Sequence, residues 1–258
     1  MFDIDIYLKK LGYEGPLAPT PELLRELHKR HLMYVPFDNV LNKGRGDDIW
    51  EYVDIDVDET FDAVITGGRG GVCHEISGLF RVLLTRLGFD VAITSAGVRM
   101  AGGEFGPIRE HMFHVVKFDG ERHLVDVGLA GPSFLEPLVL TDGVQHQYGV
   151  DYRLDQDERD GEYWTLNRRP AEGQWQPVYR FRDVERQLAE WRGDEDLRSY
   201  ARDLNAAVTL IRGRAFDNGQ STLIGRRWIR IEDGKEHMRV LVKADEYEAV
   251  VNDILQGG

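Results

Sequence analysis

The chain has 258 residues, 42% of them hydrophobic and 30% charged, with a formal net charge of −13. That balance is ordinary for a globular protein and argues against disorder, and without a run of about 18 apolar residues no membrane span is expected. So acidic a surface repels nucleic acid, and the length suits one large domain or two or three small ones fused around one core.

The opening Met1-Phe2-Asp3-Ile4-Asp5 lacks the basic and then apolar layout of a secretion signal. Thr20-Pro21 starts a helix, with threonine as cap and proline in the first position. Leu23, Leu24, Leu27 and His31 follow at helical spacing, and Pro36 ends the helix near Val35 by holding its predecessor extended. Ile76, Leu79, Phe80, Leu83, Leu84 and Leu87 form a second apolar helix face, and Gly88 is its stop. Residues 1–90 therefore read as mostly helical.

Residues 91–183 read as strands. Residues 91–94 are β-rich, residues 111–127 form a hairpin, and residues 150–154 and 162–166 form another around an acidic turn. Residues 184–207 return to helix; residues 221–231 and 237–242 read as two strands around Asp233-Gly234; residues 244–255 read as a last helix. The acidic runs at residues 54–59 and 155–160 read as solvated loops. The order is helical, then β, then mixed, which predicts an α+β protein rather than a parallel βαβ sheet. The expected divisions are 1–90, 91–183 and 184–258.

Cys73 is the only cysteine, so no internal disulfide forms, and a cytoplasmic protein is expected. It sits in Arg69-Gly70-Gly71-Val72-Cys73-His74-Glu75, between a glycine-rich turn and the apolar helix. A thiol just before a helix N-terminus feels the positive end of the helix dipole, which favours thiolate. A lone cysteine is also commonly an inert, buried apolar residue. The glycines at 67, 68, 70 and 71, which allow close backbone approach, weigh toward a nucleophile.

A cysteine nucleophile needs a base, and the base an orienting group. Asp119-Gly120 signals a two-residue hairpin turn, which pairs Phe118 with Glu121 and sets Phe113 opposite Asp126. His111 shares the face of Phe113, so His111 and Asp126 are diagonal neighbours about 7–8 Å apart at Cα. His114 falls on the other face, beside Val125. Parity thus selects His111 with Asp126, although a surface His–Asp pair would read the same way and a bulge would reverse the choice. No metal is expected, because His111 and His114 point to opposite faces and no cysteine pair or His-Glu-x-x-His helix supports one.

These residues resemble the arylamine N-acetyltransferase family over at least the first 130 positions. Tyr7-Leu8-Lys9-Lys10-Leu11-Gly12-Tyr13 is similar to its opening helix, and Val35-Pro36-Phe37-Asp38-Asn39 to its Val-Pro-Phe-Glu-Asn segment. Arg69-Gly70-Gly71-Val72-Cys73-His74-Glu75 matches its nucleophile motif; His111-Met112 opens its histidine strand; Leu124-Val125-Asp126-Val127-Gly128 matches its aspartate strand. The resemblance implies a helical bundle, a central β-barrel and a C-terminal α/β lid, with a cysteine-protease-like core. It also implies a Cys73–His111–Asp126 triad and ping-pong acyl transfer from a thioester to an aromatic amine, with Phe37, Val72 and Leu129 as cleft walls. No permanently bound cofactor is implied.

The chain departs from that pattern where the family builds its acyl and cofactor cleft. Ser77 stands for the usual Asn, and Leu129-Ala130-Gly131-Pro132-Ser133-Phe134 follows the aspartate strand. Asn205-Ala206-Ala207-Val208-Thr209-Leu210-Ile211-Arg212-Gly213-Arg214 replaces a Ser/Thr/Pro-rich stretch. The altered pattern resembles the amide synthases of ansamycin-type polyketide pathways, which close a macrolactam and release the polyketide from its carrier. The donor would then be a phosphopantetheine thioester on an acyl carrier protein domain; acetyl-CoA is the alternative. Arg212, Arg214, Arg226, Arg227 and Arg230, with Arg168 and Arg169, are a candidate landing patch or an ordinary solvated surface. Thioester hydrolysis and a non-catalytic binding module are the competing classes.

Overall fold

The structure is a computed structural model and describes residues 1–129, 131–157, 161–207 and 209–257. Five helices occupy the first third: α1 (Ile4–Lys10), α2 (Pro21–Tyr34), α3 (Asn42–Arg45), α4 (Val57–Phe61) and α5 (Cys73–Arg86). Thr20 Oγ1 accepts the Leu23 N–H at 3.2 Å, which caps α2, and Val35 is extended before Pro36, which ends it. The apolar face of α5 packs with Leu23, Leu24 and Leu27 of α2 and with Tyr7, Leu11 and Phe61 in one core. Each fully buried leucine there contributes about 1.5–3 kcal/mol. Gly88, at φ +91°, closes α5 in a conformation that costs other residues more.

Two helices follow later in the chain, α6 (Glu195–Ala207) and α7 (Ala244–Gln256). No helix among the described residues is long and apolar enough to cross a membrane.

Thirteen strands make two antiparallel sheets among the described residues. They are β1 (Phe37–Asp38), β2 (Asp90–Val98), β3 (His111–Phe118), β4 (Glu121–Val125), β5 (Leu138–Val139), β6 (Val144–Gln147), β7 (Val150–Gln156), β8 (Tyr163–Pro170), β9 (Gln176–Arg182), β10 (Ile211–Phe216), β11 (Gly219–Ile224), β12 (Arg227–Glu232) and β13 (Lys235–Val240). The larger sheet runs β5-β4-β3-β2-β9-β8-β7-β6. Its two edges nearly meet: the Gln145 amide of β6 bonds the Val139 N–H at 2.9 Å and the Val139 carbonyl at 2.8 Å in β5. This is the β-barrel of the α+β architecture, filled by Phe113, Phe134, Leu138, Tyr152, Tyr179 and Phe181 among others.

The smaller sheet runs β1-β10-β11-β12-β13, so Phe37 and Asp38 from the helical third pair with Gly213 and Arg212. Residues 221–231, read from the sequence as one strand, are instead two. Gly225 at φ +58° turns β11 back into β12. A single glycine within a run of β-formers hid that turn. Residues 184–207 are not one helix either. Gly193 at φ +70° interrupts the segment, and α6 starts only after Asp194, whose Oδ1 accepts the Asp196 and Leu197 N–H groups. Ala130, Val208 and residues 158–160 of the expected acidic turn lie outside the described residues.

Candidate active site

The β3–β4 hairpin sets the geometry. Asp119 (φ +45°) and Gly120 (φ +89°) both take positive φ, as a primed two-residue turn requires. Phe118 pairs with Glu121 and each following pair keeps that register to His114 opposite Val125, with no bulge. Asp126 is the next residue after the ladder, and His111 Nε2 meets its Oδ2 at 2.8 Å. Both side chains are buried. His114 is buried on the other face without a hydrogen-bond partner among the described residues, and burial, followed by the charge of Arg81, drives its pKa down to about 3.

Asp126 is held from three sides. Besides His111, its Oδ1 accepts the Gly128 N–H at 3.0 Å, and its own N–H donates to His28 Nε2 at 3.1 Å. His28 Nδ1 in turn donates to the Leu135 carbonyl at 2.8 Å, and the ring stacks on Phe134. A backbone N–H has only a proton to offer, so His28 presents the lone pair of Nε2 and is neutral. Burial also pushes its pKa down.

Cys73 is the first residue of α5 rather than the one before it. Val72 has no side-chain acceptor to cap the helix. The return half of a capping box is nonetheless present, with Glu75 Oε2 accepting the Val72 N–H at 3.2 Å. Glu75 Oε1 binds Arg45 at 2.7 Å and Arg69 at 3.1 Å, which ties α3 and the glycine-rich turn to the start of α5. His74 Nδ1 lies 4.0 Å from Cys73 Sγ.

The His111 ring faces the Cys73 thiol, and with Nε2 engaged by Asp126 the nitrogen left for the sulfur is Nδ1. Burial pushes the thiol up, but the hydrogen bonds of His111 and His74 and the charge of His111 outweigh it and bring Cys73 down to about 6. Burial pushes His111 down, but the charge and hydrogen bond of Asp126, followed by those of Cys73, bring it up to about 10. Both shifts favour the thiolate–imidazolium form of the pair.

The segment leading to His111 is clamped by distant tryptophans. Trp191 Nε1 donates to the Arg109 carbonyl at 2.6 Å and Trp50 Nε1 to the Glu110 carbonyl at 2.9 Å. The Arg109 side chain pairs with Asp194. Glu110 Oε1 accepts the Val98 N–H at 2.6 Å, and burial raises its carboxyl to about 7 despite that bond and one from Tyr200.

The structure thus brings Cys73, His111 and Asp126 together. Phe37 lies beside the nucleophile loop, bridged to Gly71; Asp38 N–H donates to the Gly71 carbonyl at 3.0 Å. Phe37 and Leu129 are partly exposed, whereas Val72 is only 1% exposed. Most of the arginines proposed as a landing patch have partners within the chain. Arg212 pairs with Asp38, Arg168 with Glu236, Arg169 with Asp151 and Arg230 with Glu232. Arg226 donates to the Leu241 and Val242 carbonyls, and Arg214 to that of Met33. Among the described residues no group of three or more His, Cys, Asp or Glu is placed to hold a metal ion.

Sequence reasoning missed His28, Arg45, Trp50 and Trp191. His28 carried one signal: it lies four residues after Leu24 and three before His31, on the buried face of α2. Nothing local marked the other three.

Gly128 is where the aspartate strand touches α5. A Cβ there would stand 2.5 Å from Ser77 Oγ, 3.0 Å from the Cys73 carbonyl oxygen and 3.1 Å from Cys73 Cα. Two of these atoms are backbone and cannot swing aside. Gly128→Ala is therefore expected to cost about 1–3 kcal/mol and to draw Asp126 and His111 away from the thiol. A thermal melt and the rate of Cys73 alkylation at neutral pH check it, and both should fall.

A family profile described as N-acetyltransferase matches residues 20–256. The proansamycin X synthase of Amycolatopsis mediterranei is 38% identical over 260 residues, covering all of this chain and 98% of its own. The crystal structure of Nocardia farcinica arylamine N-acetyltransferase superposes with a TM-score of 0.82 at 28% identity, covering 98% of this chain and 89% of that one. The Mycobacterium marinum arylamine N-acetyltransferase in complex with CoA gives 0.79 at 25% identity, covering 97% and 91%.

Proposed function

The chain belongs to the arylamine N-acetyltransferase family, and from that premise we propose that it is a cysteine-dependent amide synthase that closes a macrolactam. Its substrate would be a polyketide carried as a thioester, and the attacking group the aryl amine of the same chain. The observation that carries this reading is the full-length 38% identity to a proansamycin X synthase. The buried His111–Asp126 pair beside the Cys73 thiol supports the chemistry.

In this reading the Cys73 thiolate attacks the thioester carbonyl. The bond from the carbonyl carbon to the donor sulfur breaks, and His111 passes its proton to the departing thiolate. The amine then attacks acyl-Cys73, its proton goes to His111, and Cys73 leaves as thiolate with the amide formed. Such proton transfers are worth about 10²–10⁴-fold. Asp126 orients the ring and stabilises its charge. The N–H groups of the first turn of α5, that of Cys73 included, have no partner within the helix and are candidates to bind the developing oxyanion. A phosphopantetheine arm on an acyl carrier protein domain is the donor in this proposal, and no permanently held cofactor takes part.

A second reading, acetylation of free arylamines by acetyl-CoA, is favoured by the likeness to the CoA-bound M. marinum enzyme. Intact-protein mass spectrometry separates the two. The protein is mixed with acetyl-CoA and with a long polyketide-like thioester, with Cys73→Ala as control. A long-chain adduct on Cys73 with little acetyl adduct is expected. A rapid acetyl adduct with turnover of a simple arylamine would return the chain to ordinary acetylation.

A further inference from the structure

We propose that His74 is a positioning residue for the nucleophile, locked by Arg45 so that its Nδ1–H donates a second hydrogen bond to the Cys73 sulfur, independent of His111. This rests on the reading of Cys73 as nucleophile. Arg45 Nη1 lies 3.0 Å from His74 Nε2. A guanidinium has donors and no acceptor, so Nε2 must offer its lone pair and the ring proton must sit on Nδ1. That nitrogen is the one 4.0 Å from Cys73 Sγ, within reach of a large, polarizable sulfur. The ring is 3% exposed, so turning it away would strand Nε2 without a partner. Arg45 is fixed in turn by Glu75 at 2.7 Å and by stacking over the Tyr52 ring.

Cys73 is faced by His74 and His111 and feels Glu110 more remotely, while His74 is faced by Arg45 with Glu75 and Arg69 behind it. The two histidines then have different duties. When the amine attacks acyl-Cys73, His111 must be neutral to take the amine proton, so it has no proton to give the sulfur. As the carbon–sulfur bond breaks, the electron pair stays on sulfur and the amine proton goes to His111. The His74 proton stays where it is and steadies the departing thiolate. A donor that never leaves its nitrogen serves both halves of the reaction.

Because Cys73 is the only cysteine, its alkylation rate by iodoacetamide against pH reads the thiolate fraction directly. The parent protein should reach half its limiting rate near pH 6. His74→Phe keeps the ring and removes the donor, and should move that midpoint up by about one pH unit, the size of one lost hydrogen bond to a charged group. His74→Asn places an amide N–H where Nδ1–H stood and should bring the midpoint most of the way back. A His74→Phe profile that superimposes on the parent would overturn the proposal while leaving Cys73 a nucleophile. A parent thiol that titrates in the ordinary range near pH 8.5 would overturn the nucleophile reading itself. If the phenylalanine variant does not melt cooperatively, His74→Leu against His74→Asn makes the same comparison at similar size.

Discussion

Asp126→Asn is expected to slow acyl transfer about 10⁴-fold, the scale seen when a triad carboxylate is replaced by its amide, with little change in the fold. The reason is a tautomer. Asp126 Oδ1 accepts the Gly128 N–H, so an asparagine keeps its carbonyl oxygen there and turns its NH₂ toward His111. His111 Nε2, which now donates to Oδ2 at 2.8 Å, must then accept. The ring proton moves to Nδ1 and faces Cys73, where a lone pair is needed to take a proton. The charge that holds His111 up to about 10 disappears as well, so the thiolate loses its imidazolium partner at neutral pH. Single-turnover formation of the acyl adduct, followed by mass, measures the fall. An unchanged melting temperature beside it separates lost chemistry from lost structure. A variant acylated at the parent rate would remove Asp126 from the mechanism.

Glu75→Ala should be the most destabilising change near the site, at about 3 kcal/mol, the lower end of what breaking a buried ion pair costs. Glu75 is 3% exposed and serves three partners: Arg45, Arg69 and the Val72 N–H. The cost falls at the lower end because the Arg69 side chain is 31% exposed and water takes up part of its charge. In a chain of this size that loss lowers the melting temperature by roughly 6–12 °C. Glu75→Gln, which retains an acceptor for Val72, should fall between. Burial pushes the Glu75 carboxyl up, but the charges of Arg45 and Arg69 outweigh it and hold it below its usual 4.5. Its contribution is therefore fully present above pH 4.5 and is lost as pH falls through the lower folded value. The gap in melting temperature between parent and Glu75→Ala should close on the acid side and persist at neutral pH. A gap independent of pH would mean that packing, not charge, carries the effect.

What the sequence determined by itself was whatever follows from local periodicity and turn chemistry. Thr20-Pro21 and Pro36 bounded α2 because capping and proline sterics act within a few residues. Asp119-Gly120 fixed the hairpin register, and the strict two-residue alternation of a strand then carried His111 to Asp126 and His114 away from it. The motif around Cys73 was legible for the same reason: a glycine-rich turn running into an apolar helix is a contiguous pattern.

The tertiary structure alone decided what holds those groups in place. His28 reaches Asp126 across 98 residues of chain, Trp50 reaches Glu110 across 60 and Trp191 reaches Arg109 across 82. Each of these bonds satisfies a buried polar group whose need arises only once the chain has packed, and a buried donor or acceptor takes whichever partner the fold delivers. The Gly225 turn and the pairing of Phe37–Asp38 with β10 escaped for a related reason. A strand's neighbours are chosen by the sheet as a whole, and a single glycine or a two-residue strand has too little local preference to announce the choice.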